Sequence, residues 1–145
     1  MTTVNKSALV KFSAQKMLKL VENIEAYPEF LPWCGGSTIL KREGNIIEAE
    51  LKIAKAGFNK SFATRNRKEG TGKIFMTLLN GPFTSLDGVW HFIPLREDAS
   101  KICLDLEFEI QGKLANLAFG SLFNQICNTM VSSFTERAKQ VYGQE

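Results

Sequence analysis

The sequence predicts an α+β fold in which a curved antiparallel β-sheet wraps around one long C-terminal α-helix. Between residues 33 and 110 apolar side chains recur with a period of two, which is typical of strands that bury one face. Beyond residue 112 the period lengthens to three or four, as in an amphipathic helix. The chain has 145 residues, 44% of them hydrophobic and 23% charged, which is the size and composition of one globular domain. We therefore expect a single domain over residues 1–145.

The first predicted elements are one strand and two short helices. Apolar and polar residues nearly alternate over residues 3–12, the pattern of a half-buried strand. Ser13 is a suitable N-cap for the helix that follows, in which Met17 and Ile24 share one face. Pro28 restricts the second helix to a short turn. The chain is therefore expected to pass from the first strand into a helical hairpin.

The middle of the chain is predicted to form a meander of antiparallel strands. Glycine, proline, asparagine and aspartate provide turn signals at 44–45, 70–72, 80–82 and 97–98. The clearest strand is 101–110, in which apolar residues alternate with polar or acidic ones. Such a strand buries one face and exposes the other to water.

The last predicted element is a helix from about residue 112 to residue 142. Its apolar stripe consists of Leu122, Ile126, Met130, Phe134, Ala138 and Val141. A helix of this length needs a broad apolar partner, and only the concave face of the meander offers one. This order of elements is that of the helix-grip fold. The fold leaves a space between helix and sheet in which an apolar ligand can bind.

No catalytic or metal-binding constellation is recognisable in the sequence. His91 is the single histidine, which excludes a two-histidine metal site or a histidine-based triad of the usual kind. The acidic residues of strand 101–110 fall on its wet face, where burial cannot tune a carboxyl pKa. The glycines match neither a phosphate loop nor a dinucleotide-binding fingerprint. We therefore expect no enzyme activity, no bound metal and no required cofactor.

The cysteines and the N-terminal residues favour the cytoplasm. Cys34, Cys103 and Cys127 are odd in number and widely spaced, which suits reduced thiols. The first residues contain no apolar run of the length found in secretory signals. The uncharged stretch 114–135 contains too many polar residues for a membrane span. The expected location is the cytoplasm. Peripheral contact with the inner membrane is compatible with this location.

Positive charge is concentrated in one segment of the chain. Residues 52–73 contain seven basic residues and one acidic residue, although the formal net charge of the whole chain is only +3. A strand pair with such a stripe is expected to attract the phosphates of ribosomal RNA or an anionic membrane surface. Solvated lysines on an edge strand are the alternative. The basic residues are Lys52, Lys55, Lys60, Arg65, Arg67, Lys68 and Lys73.

Four motifs carry a resemblance to a known family. They are YPEFLPWC at 27–34, NGPFTSLDGVWHFIPL at 80–95, ICLDLEFEI at 102–110 and AFGSLFNQICNTMVSSF at 118–134. In these motifs the chain resembles the bacterial and mitochondrial coenzyme Q-binding proteins of the START-like, polyketide-cyclase-related superfamily. Bacterial members of the same family are described as ribosome association toxin A.

The resemblance implies a non-enzymatic carrier or chaperone that binds ubiquinone, or a similar isoprenoid lipid, and supports respiratory electron transfer. Flat apolar side chains suit a benzoquinone ring and an isoprenoid tail, and ordinary core packing is the alternative for each of them. Thr64, Asn66 and Gln125 are candidates for hydrogen bonds to quinone carbonyls. The candidate ligand-binding residues are Tyr27, Phe30, Trp33, Phe62, Phe83, Trp90, Phe92, Phe119, Phe123, Ile126 and Met130.

The resemblance also implies an alternative function of a different class. This alternative is a toxin that binds the large ribosomal subunit, blocks its association with the small subunit and has an antitoxin as a further partner. The basic segment would then dock on the ribosome. A cyclase or dehydrase is the third hypothesis, and it would need an acid or base in the cavity that the sequence does not identify.

Overall fold

Seven strands form one antiparallel sheet in the order β1-β7-β6-β5-β4-β3-β2. The computed structural model describes residues 2–112 and 118–143. Each neighbouring pair of strands is antiparallel, so the predicted meander is confirmed. The strand bounds are Thr2–Val10 (β1), Cys34–Glu43 (β2), Ile46–Lys55 (β3), Phe58–Glu69 (β4), Lys73–Asn80 (β5), Phe83–Arg96 (β6) and Ala99–Ile110 (β7).

The alternation in β7 defines the inner and outer faces of the sheet. Leu104 and Phe108 are buried, whereas Asp105 and Glu107 between and beside them are exposed. Leu104 lies opposite Trp90 of β6 in the antiparallel register, so both side chains point to the same side. We use inner face for this apolar side and outer face for the opposite one.

Two short helices follow β1, as expected. Helix α1 spans Ala14–Glu22, and the Ser13 hydroxyl accepts a hydrogen bond from the Lys16 amide at 3.1 Å, which caps the helix. A 3-10 turn at Ile24–Ala26 leads into helix α2, Tyr27–Phe30. Pro28 lies in the first turn of α2, where its missing amide proton breaks no helical hydrogen bond.

The long helix α3 spans Phe119–Tyr142 and packs across the inner face of the sheet. Residues 113–117, which the sequence pattern assigns to the start of this helix, lie outside the described residues. Phe119, Phe134 and Ala138 are fully buried. No helix in the described part of the chain combines the length and hydropathy of a membrane span.

The predicted apolar stripe of α3 is correct over most of its length but wrong at its end. Val141 is 44% exposed. Tyr142 takes the inward position instead, with its ring 5.9 Å from that of Phe12. Cys127 and Val131 are buried although the sequence pattern did not include them, because a mixed three-and-four spacing follows the sheet better than a strict spacing of four.

One turn of the meander carries no signal that sequence reasoning recognised. Ala56 and Gly57 connect β3 and β4, with φ angles of 53° and 84°. Lys55 and Phe58 are paired on either side of them. Two consecutive positive φ angles are the geometry of a tight two-residue hairpin, which asparagine and glycine usually occupy. Because alanine occupies the first position, the sequence gives no signal for this turn.

Candidate ligand-binding cavity

A cavity lies between the inner face of the sheet and α3. Its volume is about 70 Å³, in a measure by which one water needs about 10–15 Å³. It therefore has room for about five waters, or ~150 Å³ of liquid, which is the space of one small ring. The residues of its wall are Ile24, Tyr27, Trp33, Ala49, Leu51, Phe62, Thr64, Asn66, Met76, Leu86, Trp90, Leu104, Leu106, Phe123, Ile126, Cys127 and Met130.

Most of the predicted ligand-binding residues lie in this wall. The predicted residues that the structure brings together come from α2, the loop before β2, β4, β6 and α3. They are Tyr27, Trp33, Phe62, Trp90, Phe123, Ile126 and Met130. Thr64 and Asn66, predicted as polar contacts, also lie in the wall, whereas Gln125 does not.

Four predicted residues, Phe30, Phe83, Phe92 and Phe119, lie outside the cavity wall. Phe92 stacks parallel to Trp90 at 6.0 Å, so it supports a wall residue without reaching the space. Phe83 likewise packs behind a wall residue, with its ring 4.8 Å from that of Phe123.

The other two aromatics pack at the ends of helices. The Phe119 ring lies 5.3 Å from that of Phe58, where α3 meets the β3–β4 hairpin. The Phe30 ring is half-buried and lies 5.2 Å from that of Phe134. These four residues make ring contacts in the core beside the cavity.

Sequence reasoning missed the aliphatic part of the wall. It includes Ala49 and Leu51 of β3, Met76 of β5 and Cys127 of α3. Ala49 and Leu51 lie opposite Thr64 and Phe62, on the inner face. Small and flexible apolar residues are common in any core, so their type alone gives no signal. The pairing register of β3 with β4 could have found them.

Backbone anchors hold two aromatic walls of the cavity in place. The Tyr27 hydroxyl donates to the carbonyl oxygen of Val21 at 2.5 Å, which ties α2 to the end of α1. The amide of Ala54 donates to the carbonyl oxygen of Trp33 at 2.8 Å, which ties the loop after α2 to β3. The first bond positions the Tyr27 ring, and the second fixes the main chain of Trp33, before any ligand arrives.

The polar groups of the cavity are few and uncharged. The Thr64 hydroxyl donates to the Asn66 side-chain oxygen at 2.9 Å. Burial raises the pKa of the Tyr27 hydroxyl well above its ordinary range, and the nearby Cys34 thiol raises it further. Burial raises the pKa of the Cys127 thiol in the same way. Both groups are therefore protonated and neutral near pH 7.

The Trp33 indole nitrogen is the unsatisfied polar group of the wall. The residue is 4% exposed, and its Nε1 is buried and makes no hydrogen bond. A buried donor without a partner costs about 1–3 kcal/mol. A ligand with an acceptor oxygen at this point would remove that cost.

His91 and the acidic residues of β7 lie away from the cavity. His91 is half-buried on the outer face, opposite Cys103 of β7 and Lys73 of β5. Asp105 and Glu107 share that outer face. The described ranges 2–112 and 118–143 contain no group of three or more histidine, cysteine or acidic residues arranged to hold a metal ion.

The basic segment does not form one stripe. Lys52, Arg65 and Arg67 are on the outer face, because each is paired with an outer-face residue. Lys60 and Lys68 lie opposite Ile53 and Ile74 on the inner side, at its margins. Lys55 lies beside α3. The hairpin alternation divides the charges between two faces.

Three of the basic residues are also paired with acidic ones. Arg65 Nε lies 2.7 Å from Glu48, and Arg67 lies 2.9 Å from Glu69 with its guanidinium over the Phe75 ring. Lys68 lies 3.5 Å from Glu22. The local excess of positive charge is smaller than the count over residues 52–73 indicates, since Glu48 and Glu22 lie outside that segment.

Comparisons with known proteins agree with this architecture. The family model described as polyketide cyclase / dehydrase and lipid transport matches residues 10–135. The ribosome association toxin RatA of Vibrio cholerae is 47% identical over 99% of this chain and 100% of its own length. The coenzyme Q-binding protein COQ10 homolog B of Xenopus laevis is 23% identical over 97% of this chain and 59% of its own length.

Solved structures show the same fold. The Zhui aromatase/cyclase of Streptomyces sp. R1128 superposes with a TM-score of 0.85 at 14% identity, over 96% of this chain and 94% of its own. A START superfamily protein of Mycobacterium smegmatis superposes with a TM-score of 0.77 at 24% identity, over 96% and 98%. The predicted helix-grip architecture is therefore confirmed.

Proposed function

We propose that this chain, which belongs to the polyketide cyclase / dehydrase and lipid transport family, binds ubiquinone without changing it chemically. Its relatives include the ribosome association toxins. The observation that carries the proposal is the uncharged, mainly apolar cavity under α3. Its volume is that of one six-membered ring without substituents. The likeness to a coenzyme Q-binding protein over 97% of the chain supports the choice of a quinone.

The few polar groups of the cavity suit a quinone head. A benzoquinone is flat and apolar apart from its oxygen atoms, all of which are hydrogen-bond acceptors. Asn66 has a side-chain amide that donates hydrogen bonds, and its oxygen is already engaged by Thr64. Trp90 and Phe62 provide aromatic walls on either side of the sheet centre.

The proposed role is carriage, because the described residues of the cavity wall include no group that could transfer protons near neutral pH. Tyr27 and Cys127 are held protonated by burial, whereas a general acid or base works best with a pKa near the working pH. The aromatase/cyclase neighbour supports the fold alone, since its identity is 14%. Ubiquinone is thus proposed as cargo, with no catalytic cofactor.

A cavity-filling variant tests this proposal. Ala49 is 2% exposed and lies in the wall, so Ala49→Leu places three more carbons in the space. We expect ubiquinone affinity to fall at least about tenfold, with a stability cost of about 1–3 kcal/mol. Both tryptophans of the chain, Trp33 and Trp90, line the cavity. Quenching of their fluorescence therefore reports binding.

The matched control is Ala54→Leu, on the exposed outer face of the same strand. It adds the same atoms outside the cavity and should leave the affinity unchanged. Circular dichroism establishes that both variants are folded. Equal saturable quenching in the wild type and in Ala49→Leu would show that the quinone binds elsewhere, and would overturn the proposal.

A second candidate function is docking on the large ribosomal subunit. The relatives from Vibrio cholerae, Pseudomonas aeruginosa and Escherichia coli that bear the name ribosome association toxin are 43% to 47% identical over 98% to 99% of this chain. Within the described ranges, Lys52, Lys60 and Lys73 are in no ion pair, so their charges are available to RNA phosphates or to anionic lipid headgroups. These contacts would leave the cavity unobstructed.

Charge reversal distinguishes this second function from quinone binding. The variant Lys52→Glu with Lys60→Glu should weaken co-sedimentation with isolated large subunits at least about tenfold, because each lost phosphate contact lowers affinity and its salt dependence. Lys6→Glu with Lys101→Glu, on β1 and β7, changes the net charge equally and is the control. Unchanged co-sedimentation of the first variant would exclude this docking surface.

A further inference from the structure

A second hollow lies on the surface beside the cavity. It runs between α3 and the loop before β2, and its volume is about 410 Å³, compared with about 70 Å³ for the cavity in the same measure. Its walls include buried Leu122 and exposed Lys55, Gln125 and Thr129. We refer to it as the α3 groove.

Two side chains are shared by the cavity and the α3 groove. Trp33 and Ile126 line both spaces, one from the loop before β2 and one from α3. Both are at least 95% buried, with exposures of 4% and 5%. Both side chains therefore lie between the cavity and the α3 groove. A rotation of either one would join the two spaces.

The unsatisfied hydrogen-bond donor of the cavity wall lies at this same boundary. Nε1 of Trp33 is buried and has no partner, and an indole nitrogen can only donate. Its main chain is fixed to β3 through the amide of Ala54 at 2.8 Å. The nitrogen has almost no accessible surface, so the ring must turn at the junction of the two spaces before an acceptor atom of a ligand can meet it.

The cavity is too small for a whole isoprenoid quinone. It has the space of about one ring, whereas the tail of such a lipid has several isoprene units. We propose that the cavity and the α3 groove form one divided site, resting on the quinone binding proposed above. The ring occupies the cavity, an oxygen of the ring accepts a hydrogen bond from Trp33, and the tail passes Trp33 and Ile126 into the α3 groove.

The division of the site predicts that blocking the α3 groove affects only quinones with a tail. Thr129 is exposed and lines the groove, so Thr129→Trp fills it from the helix side. We expect the affinity for a ubiquinone with four isoprene units to fall at least about tenfold. The affinity for the tailless ubiquinone head should remain as in the wild type. Equilibrium dialysis measures both without relying on tryptophan fluorescence.

Two further variants complete the groove experiment. Lys55→Trp fills the groove from the opposite side and replaces Thr129→Trp if that variant does not fold. Gln140→Trp, on the exposed side of α3 and outside the groove, is the control and should bind both quinones normally. Normal binding of the tailed quinone by both groove variants would overturn the proposed path of the tail.

The hydrogen bond from Trp33 has its own test. Trp33→Phe keeps an aromatic ring at the boundary and removes the donor. We expect the affinities for the tailed and the tailless quinone to fall by the same factor, roughly fivefold for one neutral hydrogen bond. Unchanged affinities would overturn the role of Trp33. If the wild-type protein binds neither quinone, the proposed function itself fails, and the divided site fails with it.

Discussion

Gly88 shows how a single residue controls the size of the cavity. It lies on β6, and a Cβ atom built there would be 2.5 Å from Leu106 Cδ1 and 2.9 Å from Met76 Cε. Both of those side chains line the cavity. Because Gly88 has no side chain, the side chains of Leu106 and Met76 do not have to extend further into the cavity.

Substitution of Gly88 should reduce both ligand binding and stability. In Gly88→Ala the flexible ends of Met76 and Leu106 must move, and the cavity is the space open to them. We expect ubiquinone affinity to fall several-fold while the free energy of unfolding falls by about 1 kcal/mol, the lower end of the cost of overpacking. Fluorescence titration and urea denaturation measure the two effects.

Gly36→Ala is the matched control for this substitution. Gly36 is also a strand glycine, and a Cβ atom there would meet nothing within 4 Å. Its affinity for ubiquinone should be that of the wild type. If Gly88→Ala binds ubiquinone as tightly as Gly36→Ala, the cavity is not the ligand site.

For individual residues, the sequence predicted the aromatic part of the cavity wall better than the rest of the site. A tryptophan or tyrosine at an inward position, such as Trp90 or Tyr27, is large enough that it reaches the cavity. Periodicity gives the face of a residue but not its depth, so Phe83 and Phe92 were indistinguishable from wall residues. The pairing of Arg65 with Glu48 was equally hidden, because it depends on the register of β3 with β4.

Helix α3 is held over the sheet by a cluster of rings near its C-terminal half. The Phe134 ring lies 5.4 Å from Tyr27, 5.2 Å from Phe30 and 5.4 Å from Trp90. Each contact is edge-to-face, an arrangement that contributes beyond the buried area. Phe134 therefore joins α3 to α2 and to β6, on the side of the cavity where Tyr27 and Trp90 form the wall.

Removal of this ring should weaken the attachment of the whole helix. Phe134 is 0% exposed, so Phe134→Ala leaves a cavity, and we expect the free energy of unfolding to fall by about 3–5 kcal/mol. Urea denaturation monitored by circular dichroism measures it. Val141→Ala, at an exposed position on the same helix, should change stability by no more than about 0.5 kcal/mol.

Equal stabilities for these two variants would contradict the assignment of the inner stripe of α3. The sequence predicted this element well because a spacing of three or four over many residues is a strong signal. It failed at Val141, where the stripe drifts around the helix and Tyr142 takes the inward place. The β3–β4 turn was missed for a local reason, since alanine rarely adopts the positive φ found at Ala56.

For the molecule as a whole, the inner and outer faces of the sheet carry different properties. The inner face and α3 enclose an uncharged cavity. The outer face carries exposed ion pairs such as Arg67 with Glu69, which contribute little to stability. The proposed docking through outer-face residues such as Lys52 and Lys73 would therefore use a surface separate from the proposed quinone cavity, and substitutions there should leave quinone binding intact.

The order of elements was sufficient to predict the architecture. A sheet that follows one strand and two short helices, and precedes one long helix, has few ways to cover that helix. The volume of the space could not be predicted in the same way. It depends on how far side chains such as Met76 and Met130 extend, and on gaps such as the one beside Gly88, none of which has a sequence signature.

The measurement that tests the central claim most directly is mass spectrometry of the organic extract of the protein purified from its native cells. We predict that ubiquinone is present at close to one molecule per chain in the wild type and in Ala54→Leu. It should be largely absent from Ala49→Leu. A wild-type protein that carries no quinone, or an Ala49→Leu variant that carries as much as the wild type, would contradict the proposal that the cavity under α3 is a ubiquinone site.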